Sequence, residues 1–505
     1  MSNPLPRRNP LPQLTPANIR RLQSIVAEKV WSKLCDLEVW RTEEQQLEID
    51  CQQAASLPLK RLAPGEHFGR GGDQWTAFWM KAAVPPADNP SSERRYLRWN
   101  CQGETTVWID GQPWAGLDLG HRECLIPNRS FDCWLECCSW QTGIWISMLG
   151  QQGVSPHGLL FDGAEIALRN EVAWECSCDL DAIVQIMDQA LAAEDDLKLA
   201  PAMGYCRAIE SASPRLRRLL HELEELCDFW HATPDLAALQ LKCRELMRRW
   251  PAETWQPTAA VCGTAHIGLV WLWPESATRK KIIHTFATAL RLLEDYPDMV
   301  FVQSMPAIYR IVEEDCPQLL PRIAEHLTSG RWETLGGFEV EPNTNLHSGE
   351  ALLRSIIYGQ RKLTELVGAP STVAWIPDVF GYNNCLPQIL TQAGIKYFFT
   401  TKLTWSKITK FPYTSFVWRG ADGSEVLAHL GTTDYNGEVL LADHDRAFAQ
   451  HRQAGVHAEL LLPAGYGDGG GGPTELQAER VRRFSNLSGA PRTRWTRVDE
   501  FFGRL

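Results

Sequence analysis

Between residues 55 and 175 apolar and polar residues alternate in short runs, as in Gln74-Trp75-Thr76-Ala77-Phe78-Trp79-Met80 and Thr105-Thr106-Val107-Trp108-Ile109-Asp110-Gly111-Gln112. A two-residue period puts successive side chains on opposite faces of a strand, and Asp110-Gly111 suits a hairpin turn that needs positive φ. The stretch therefore predicts an all-β unit, a sandwich. From 180 to 250 the pattern turns helical, with charged and apolar residues interleaved in LRRLLHELEELCDFW and LQLKCRELMRRW until Pro251. From residue 256 short apolar strands alternate with amphipathic helices. Thr258-Ala259-Ala260-Val261-Cys262, Met299-Val300-Phe301-Val302, Trp332 to Val340, Val373-Ala374-Trp375-Ile376 and Lys396-Tyr397-Phe398-Phe399-Thr400 read as strands, and Ile283, Phe286, Leu290 and Leu293 fall at helical spacing between the first two. Repeated βα units favour a parallel sheet or barrel, whose functional residues gather after the C-terminal ends of the strands.

The chain of 505 residues, 44% hydrophobic, has length for about two to four domains and ample material for their cores. Its net charge is −11, and no Lys/Arg block is interleaved with aromatics, so a nucleic-acid partner is not expected. The N-terminal MSNPLPRRNPLPQLTPANIRR has two early arginines but no apolar segment after them, and no apolar run of about 18 residues occurs, so neither export nor a membrane is expected. The 15 cysteines, an odd number, sit mostly in apolar or helical contexts such as FDCWLECCSW. Free thiols in a reducing cytoplasm fit that pattern, and Cys176-Ser-Cys178 lacks the second pair that a zinc knuckle needs.

Chemistry is most concentrated in Trp375-Ile376-Pro377-Asp378-Val379-Phe380-Gly381-Tyr382, where an apolar strand delivers one carboxylate to a Pro/Gly/aromatic turn. Asp378 there is a candidate nucleophile, base or metal ligand, or else the cap of a helix beginning near Leu386. His266, in Gly263-Thr264-Ala265-His266-Ile267-Gly268, ends another strand. An imidazole facing a carboxylate outlines a metal site, the alternative being a hydrogen-bonded loop histidine. Gly465-Tyr466-Gly467-Asp468-Gly469-Gly470-Gly471-Gly472-Pro473-Thr474 sets a further carboxylate among residues with almost no side chains, either a close-approach loop or a flexible linker.

Taken in order, HIGLVWLWP, VEPNTNLHSGEALLRSIIYGQR, WIPDVFGYNNCLPQIL, KYFFTTKLTWS and GYGDGGGGPT resemble glycoside hydrolase family 38, the zinc-dependent retaining α-mannosidases, in its cytosolic and bacterial branch. The resemblance covers 256–505 and extends more weakly upstream, through Gly65-Glu66-His67-Phe68-Gly69, Trp75 and the hairpin at Asp110. It implies a multidomain α/β chain with an N-terminal segment (1–54), a β-sandwich-like domain (55–179), a helical connector (180–255) and a (β/α)7-barrel-like catalytic domain (256–505). Retaining hydrolysis uses a nucleophilic and an acid/base carboxylate about 5 Å apart. Asp378 matches the nucleophile, which also touches the metal, and Asp468 is the candidate acid/base. The resemblance also implies zinc or another divalent ion gripping the sugar hydroxyls, an α-mannoside oligosaccharide or glycoside as substrate, and Trp271, Trp273 and Tyr382 as sugar-contacting aromatics, buried core packing being the alternative for the two tryptophans.

The chain departs from the family pattern at the metal. His266 matches the histidine ligand, but Gly268 stands where the pattern has a ligating Asp, and Glu341-Pro342-Asn343 stands for Glu-Pro-Asp. The sequence ends at Leu505, ahead of the segment that carries the remaining histidine ligand and the C-terminal β-domains, so truncation is expected. Two of four expected ligands remain, whereas a catalytic zinc ordinarily keeps three. The departures set a non-catalytic glycan-binding protein or a truncated fragment against the active enzyme. They also point to a homo-oligomer or a separately encoded C-terminal half as partner, and to an exposed apolar patch.

Overall fold

The computed structural model describes residues 14–87, 94–142, 153–194 and 212–505, so the N-terminal residues 1–13 lie outside it. The N-terminal domain is a jelly roll of two antiparallel sheets. One runs in the order Trp31–Asp36, Leu159–Arg169, Arg95–Cys101, Glu123–Leu125, with Glu66–Phe68 beside Leu159–Arg169. The other runs Lys60–Leu62, Val39–Arg41, Ala77–Ala82, Cys133–Cys138, Glu104–Ile109, Gln112–Leu117. Asp110 and Gly111 both take positive φ between the last two paired strands, as a two-residue hairpin turn requires. The β layer begins upstream of the expected residue 55, because Leu37 and Val39 enter the sandwich core with Phe78, Met80, Val107 and Leu135. The first connector helix likewise begins at Glu171 rather than 180, capped by the Asn170 side chain.

The tryptophans explain how the domains join. Glu104–Ile109 and Cys133–Cys138 are buried on both faces. Val107, Ile109 and Leu135 point into the sandwich. Trp79, Trp108 and Trp134 point the other way, into a core with Ile282, Phe286 and Leu290 of the barrel helix Glu275–Asp295. A strand with polar alternates would leave that helix facing water. Burying each such side chain contributes about 1.5–3 kcal/mol. Helices Thr15–Ala27, Glu171–Ala192, Pro214–Ala232 and Leu236–Arg249 form a third layer whose leucines share a core with Leu460 and Leu462 of the barrel and Phe484 behind it.

The strands of the C-terminal domain form two arcs. Trp332–Thr334, Phe301–Gln303, Thr258–Thr264 and Glu459–Ala464 pair in parallel, with Arg492–Trp495 beside the first half of Thr258–Thr264. Val373–Trp375, Tyr397–Thr400 and Glu425–Leu430 make the second parallel arc, edged by the antiparallel Ser415–Arg419. A single backbone bond from Gly336 N to Val373 O, 3.2 Å, spans one seam, and the His429 ring accepts from Leu461 N at 3.3 Å across the other. The seven parallel strands of the two arcs, with Arg492–Trp495 an eighth parallel strand at the edge, thus surround a core of Ala260, Val302, Trp375, Phe399 and Leu461, into which Val498, Phe501 and Phe502 of the helix Val498–Arg504 also pack. Among the described residues no helix is long and apolar enough to cross a membrane.

Burial lowers the histidines between Glu425 and Glu459. His429 lies well below the ordinary value, His444 is pushed down to about 4, and His451 and His457 are lowered as well. A histidine depressed in the fold contributes stability that is present above its unfolded value, about 6.5, and lost as pH falls through the folded one. These histidines therefore lower the melting temperature between about pH 6.5 and pH 4, against the buried Glu333 carboxyl, which is raised to about 8 and gains stability over the same fall. Scanning calorimetry of parent and variant isolates the histidine part: His444→Gln should lose less stability than the parent on acidification, and identical pH profiles contradict the assignment.

Candidate functional site

Loops after the strands converge on one end of the barrel. His266 lies two residues beyond Thr258–Thr264, and Glu341 lies in the loop after Trp332–Thr334. Asp378 follows Val373–Trp375, and Lys402 lies two residues beyond Tyr397–Thr400. Tyr435 follows Glu425–Leu430, and Asp468 follows Glu459–Ala464. Asp378 owes its placement to the strand beneath it. Trp375 stacks on Phe399 at 4.1 Å, Ile376 is buried, and the Thr401 hydroxyl donates to the Pro377 carbonyl at 2.8 Å. It is not a helix cap: Leu386–Gln392 starts after Cys385 with no side-chain cap bond.

Both oxygens of Asp378 face cations supplied by the chain itself. Oδ2 lies 3.4 Å from His266 Nε2, and Oδ1 lies 2.8 Å from Lys402 Nζ. The other imidazole nitrogen faces Glu341 Oε1 at 3.4 Å, and that oxygen accepts from Ser304 Oγ at 3.1 Å. Burial works against charge on both partners of the His266–Asp378 pair. For His266 the charge of Glu341 and the bond to Asp378 overcome it and raise the imidazole to about 10. For Asp378 the bond to His266 and the nearby charges of His266 and Lys402 overcome it and hold the carboxyl at about 2. Lys402, almost wholly buried, is caged by the rings of Trp405 at 3.6 Å, Tyr435 at 4.8 Å and Phe380 at 4.9 Å.

The Tyr435 hydroxyl joins the two candidate carboxylates, 3.1 Å from Asp378 Oδ1 and 2.7 Å from Asp468 Oδ1. A shared hydroxyl within hydrogen-bond reach of both oxygens keeps them no more than about 6 Å apart. The carboxyl of Asp468 is raised, by burial first, against the Tyr435 bond and the His266 charge. Its loop is built rather than linker-like: Tyr466 and Gly472 form a bridge, Ile267 and Gly469 another, and Asp468 itself sits at φ 57°.

Three further residues were expected to touch sugar. Trp271 is half-exposed beside the mouth, at 49%, whereas Trp273 is only 5% exposed. Of the two alternatives for Trp273 the structure has the packing one: its indole donates to the Gly268 carbonyl at 3.0 Å and shields Lys281, so it packs the loop from beneath. Tyr382 is half-buried, and its hydroxyl bonds the Ile376 carbonyl and Thr400, bracing the Asp378 strand. Sequence reasoning missed Lys402 and Tyr435. Lys402 was visible as a lysine just past a strand end in KYFFTTKLTWS; Tyr435 was hidden because its strand, Glu425–Leu430, carries a histidine among its apolar residues and went unread.

A family model described as the glycosyl hydrolases family 38 N-terminal domain matches residues 256–505, and one described as the alpha-mannosidase jelly roll domain matches 33–145. The chain is 34% identical over 448 residues to an alpha-mannosidase of Saccharomyces cerevisiae, covering 83% of this chain and 39% of that protein. It is 28% identical to alpha-mannosidase G of Dictyostelium discoideum (90% and 41% covered) and 28% identical to alpha-mannosidase 2C1 of Homo sapiens (90% and 43% covered). It thus spans about two fifths of the length of these relatives.

Proposed function

Since this chain belongs to glycosyl hydrolase family 38, we propose that its barrel face binds a terminal α-mannoside and cleaves it with retention, Asp378 acting as nucleophile and Asp468 as acid and base. The observation that carries the reading is the Asp378–Tyr435–Asp468 bridge, whose span suits the roughly 5–5.5 Å of a retaining pair. One hydroxyl proton serves only one acceptor. As placed, the hydroxyl donates to Asp468 at the shorter distance; for Asp468 to act as acid it must carry a proton of its own, and Tyr435 then turns its hydroxyl proton to Asp378. That leaves Asp378 anionic and Asp468 carrying the proton, the division of roles that unequal environments impose on paired carboxylates.

In the first step Asp378 attacks the anomeric carbon while Asp468 gives its proton to the departing glycosidic oxygen, leaving a mannosyl ester on Asp378. In the second, Asp468 takes a proton from water, the resulting oxygen bonds the anomeric carbon, and Asp378 leaves as carboxylate. Lys402 stabilises that carboxylate both as nucleophile and as leaving group. Lys402→Met should lower kcat on the order of 10- to 100-fold, and Lys402→Arg should fail to restore it because the aromatic cage fits an ammonium. Steady-state kinetics of both variants check this; full activity in Lys402→Met contradicts it.

The zinc that the family resemblance implies does not fit this chain's own donors. Among the described residues no three His, Cys, Asp or Glu side chains are grouped to hold a metal. Gly268 offers no ligand, and the Lys402 ammonium occupies one face of Asp378. Gly268 also supports a second reading, mannoside binding without turnover. Release of aryl alcohol from an aryl α-mannoside, with and without added zinc, decides between them: turnover lost in Asp378→Asn supports the enzyme, and saturable binding with no release supports the binding protein. The 14 described cysteines are all free, which supports a reducing, cytoplasmic setting. Exposed Leu272, Phe380 and Trp405 on the loops of the barrel mouth support a contact with further protein there.

A further inference from the structure

The loop that carries Asp468 cannot fix its own shape. Gly465, Gly470 and Gly472 take positive φ, and a Cβ at Gly465, Gly467, Gly469 or Gly470 would come within 3 Å of a neighbour, so the loop is close-packed by others while contributing few side chains itself. Part of its support comes from the barrel: Thr285 donates to the Gly470 carbonyl, and Gly467 N to Asn436 at 2.5 Å. The rest comes from the jelly roll. Past the strand Gln112–Leu117 the chain turns at Asp118, whose Oδ1 accepts from Gly120 N at 2.8 Å and from His121 N and Nδ1, both at 2.9 Å. Its Oδ2 faces His284 Nε2 of the barrel helix at 3.0 Å, and His121 Nε2 lies 2.8 Å from the Pro473 carbonyl at the end of the Asp468 loop. Thr142 of the same domain lies directly against Gly469 and is tied through Lys281 to Glu104.

Both ring nitrogens of His121 face atoms that only accept, a carboxylate and a carbonyl, so both must carry protons. Burial opposes that charge, and the Asp118 carboxylate overcomes it and raises the imidazole above its ordinary value. A buried imidazolium clamped between a carboxylate and a loop carbonyl is a costly arrangement to maintain unless the loop's position matters. A Cβ on Gly120 would meet the Tyr466 ring at 2.3 Å, so the two loops touch at a second point one residue away.

We propose that His121, oriented by Asp118, is a positioning residue for Asp468, so that the jelly-roll domain forms part of the catalytic face instead of serving as an appendage to it. The proposal rests on the acid/base reading of Asp468. Hydrogen exchange of the amides of 465–473, followed by mass spectrometry on the full chain, tests the clamp directly. His121→Ala should speed exchange in this segment at least tenfold while the helices Thr15–Ala27 and Pro214–Ala232 keep parent rates. His121→Gln, whose amide still donates to the Pro473 carbonyl, should restore most of the protection; Asp118→Asn should behave like His121→Ala. Unchanged loop exchange in His121→Ala, or acceleration spread evenly over the chain, overturns the proposal.

A second measurement separates positioning from general support. Misplacing an acid slows substrates with poor leaving groups more than those with good ones, so His121→Ala should lose kcat/KM at least tenfold more on an alkyl than on a dinitrophenyl α-mannoside. Equal losses on both mark a structural role and overturn the proposal. If Asp468→Asn leaves hydrolysis of both substrates unchanged, the acid/base reading of Asp468 fails, and the clamp between His121 and the loop then stands or falls with the exchange rates alone.

Discussion

Asp378→Asn is expected to remove turnover of any aryl α-mannoside, a loss on the order of 10⁴-fold or more, while mannoside binding survives. The asparagine has nearly the same shape, so the loop held by Thr401 and Pro377 should keep its course. What is lost is the negative charge that His266 and Lys402 face from two sides. Asp468→Asn should behave differently. It removes the proton donor of the first step and the base of the second, about 10²–10⁴-fold on poor leaving groups, yet spares the first step for a good one. A burst of dinitrophenol followed by slow release is therefore expected in Asp468→Asn and absent in Asp378→Asn. Stopped-flow traces of the two variants check the assignment, and exchanged behaviours would reverse the two roles.

Gly268→Asp is expected to bring the largest gain. A Cβ at Gly268 would meet only Trp271 Cβ at 3.4 Å and Trp273 Cζ2 at 3.8 Å, ordinary contact distances. Its φ lies outside the positive range, so an L side chain is accommodated without backbone strain. The introduced carboxylate, two residues from His266, tests whether a further donor beside His266 and Asp378 is what the site lacks, three being the least a catalytic zinc ordinarily keeps. Zinc content measured after dialysis should rise from well below one to about one per chain, with apparent affinity up on the order of 100-fold. Mannoside turnover should rise with it. If the variant takes up no more zinc than the parent, the absence of a third donor at Gly268 is not what limits this site.

Most of the architecture was legible because periodicity and punctuation agreed. The Asp110-Gly111 hairpin, the helical stretch to Pro251 and the strand before Asp378 all follow from local pattern. Boundaries failed where tertiary burial overrode it. Trp332 to Val340 read as one strand, but pairing stops at Thr334, because Gly336 and Gly337 take positive φ and turn the chain toward Glu341. Within the site, His266 and Asp378 could be singled out as candidates because each follows a recognisable strand, and Asp468 because it stands among glycines. Their mutual distances could not be read, since the three come from strands far apart in sequence. Lys402 shows the limit best: in sequence it is an ordinary lysine, and only the fold buries its ammonium against a carboxylate and three rings. Trp273 shows the reverse, an aromatic for which the sequence allows sugar contact or packing and which the fold uses for packing.

The central claim is that Asp378 forms the covalent bond to mannose, and a trapped intermediate tests it most directly. The parent chain and Gly268→Asp would be incubated with a fluorinated mannosyl fluoride, which forms the glycosyl ester faster than it hydrolyses, then digested and mapped by mass spectrometry. The account predicts one added sugar on the peptide containing Asp378, in Gly268→Asp at the least, and none after Asp378→Asn. An adduct on Asp468, or no adduct in either protein, would contradict it.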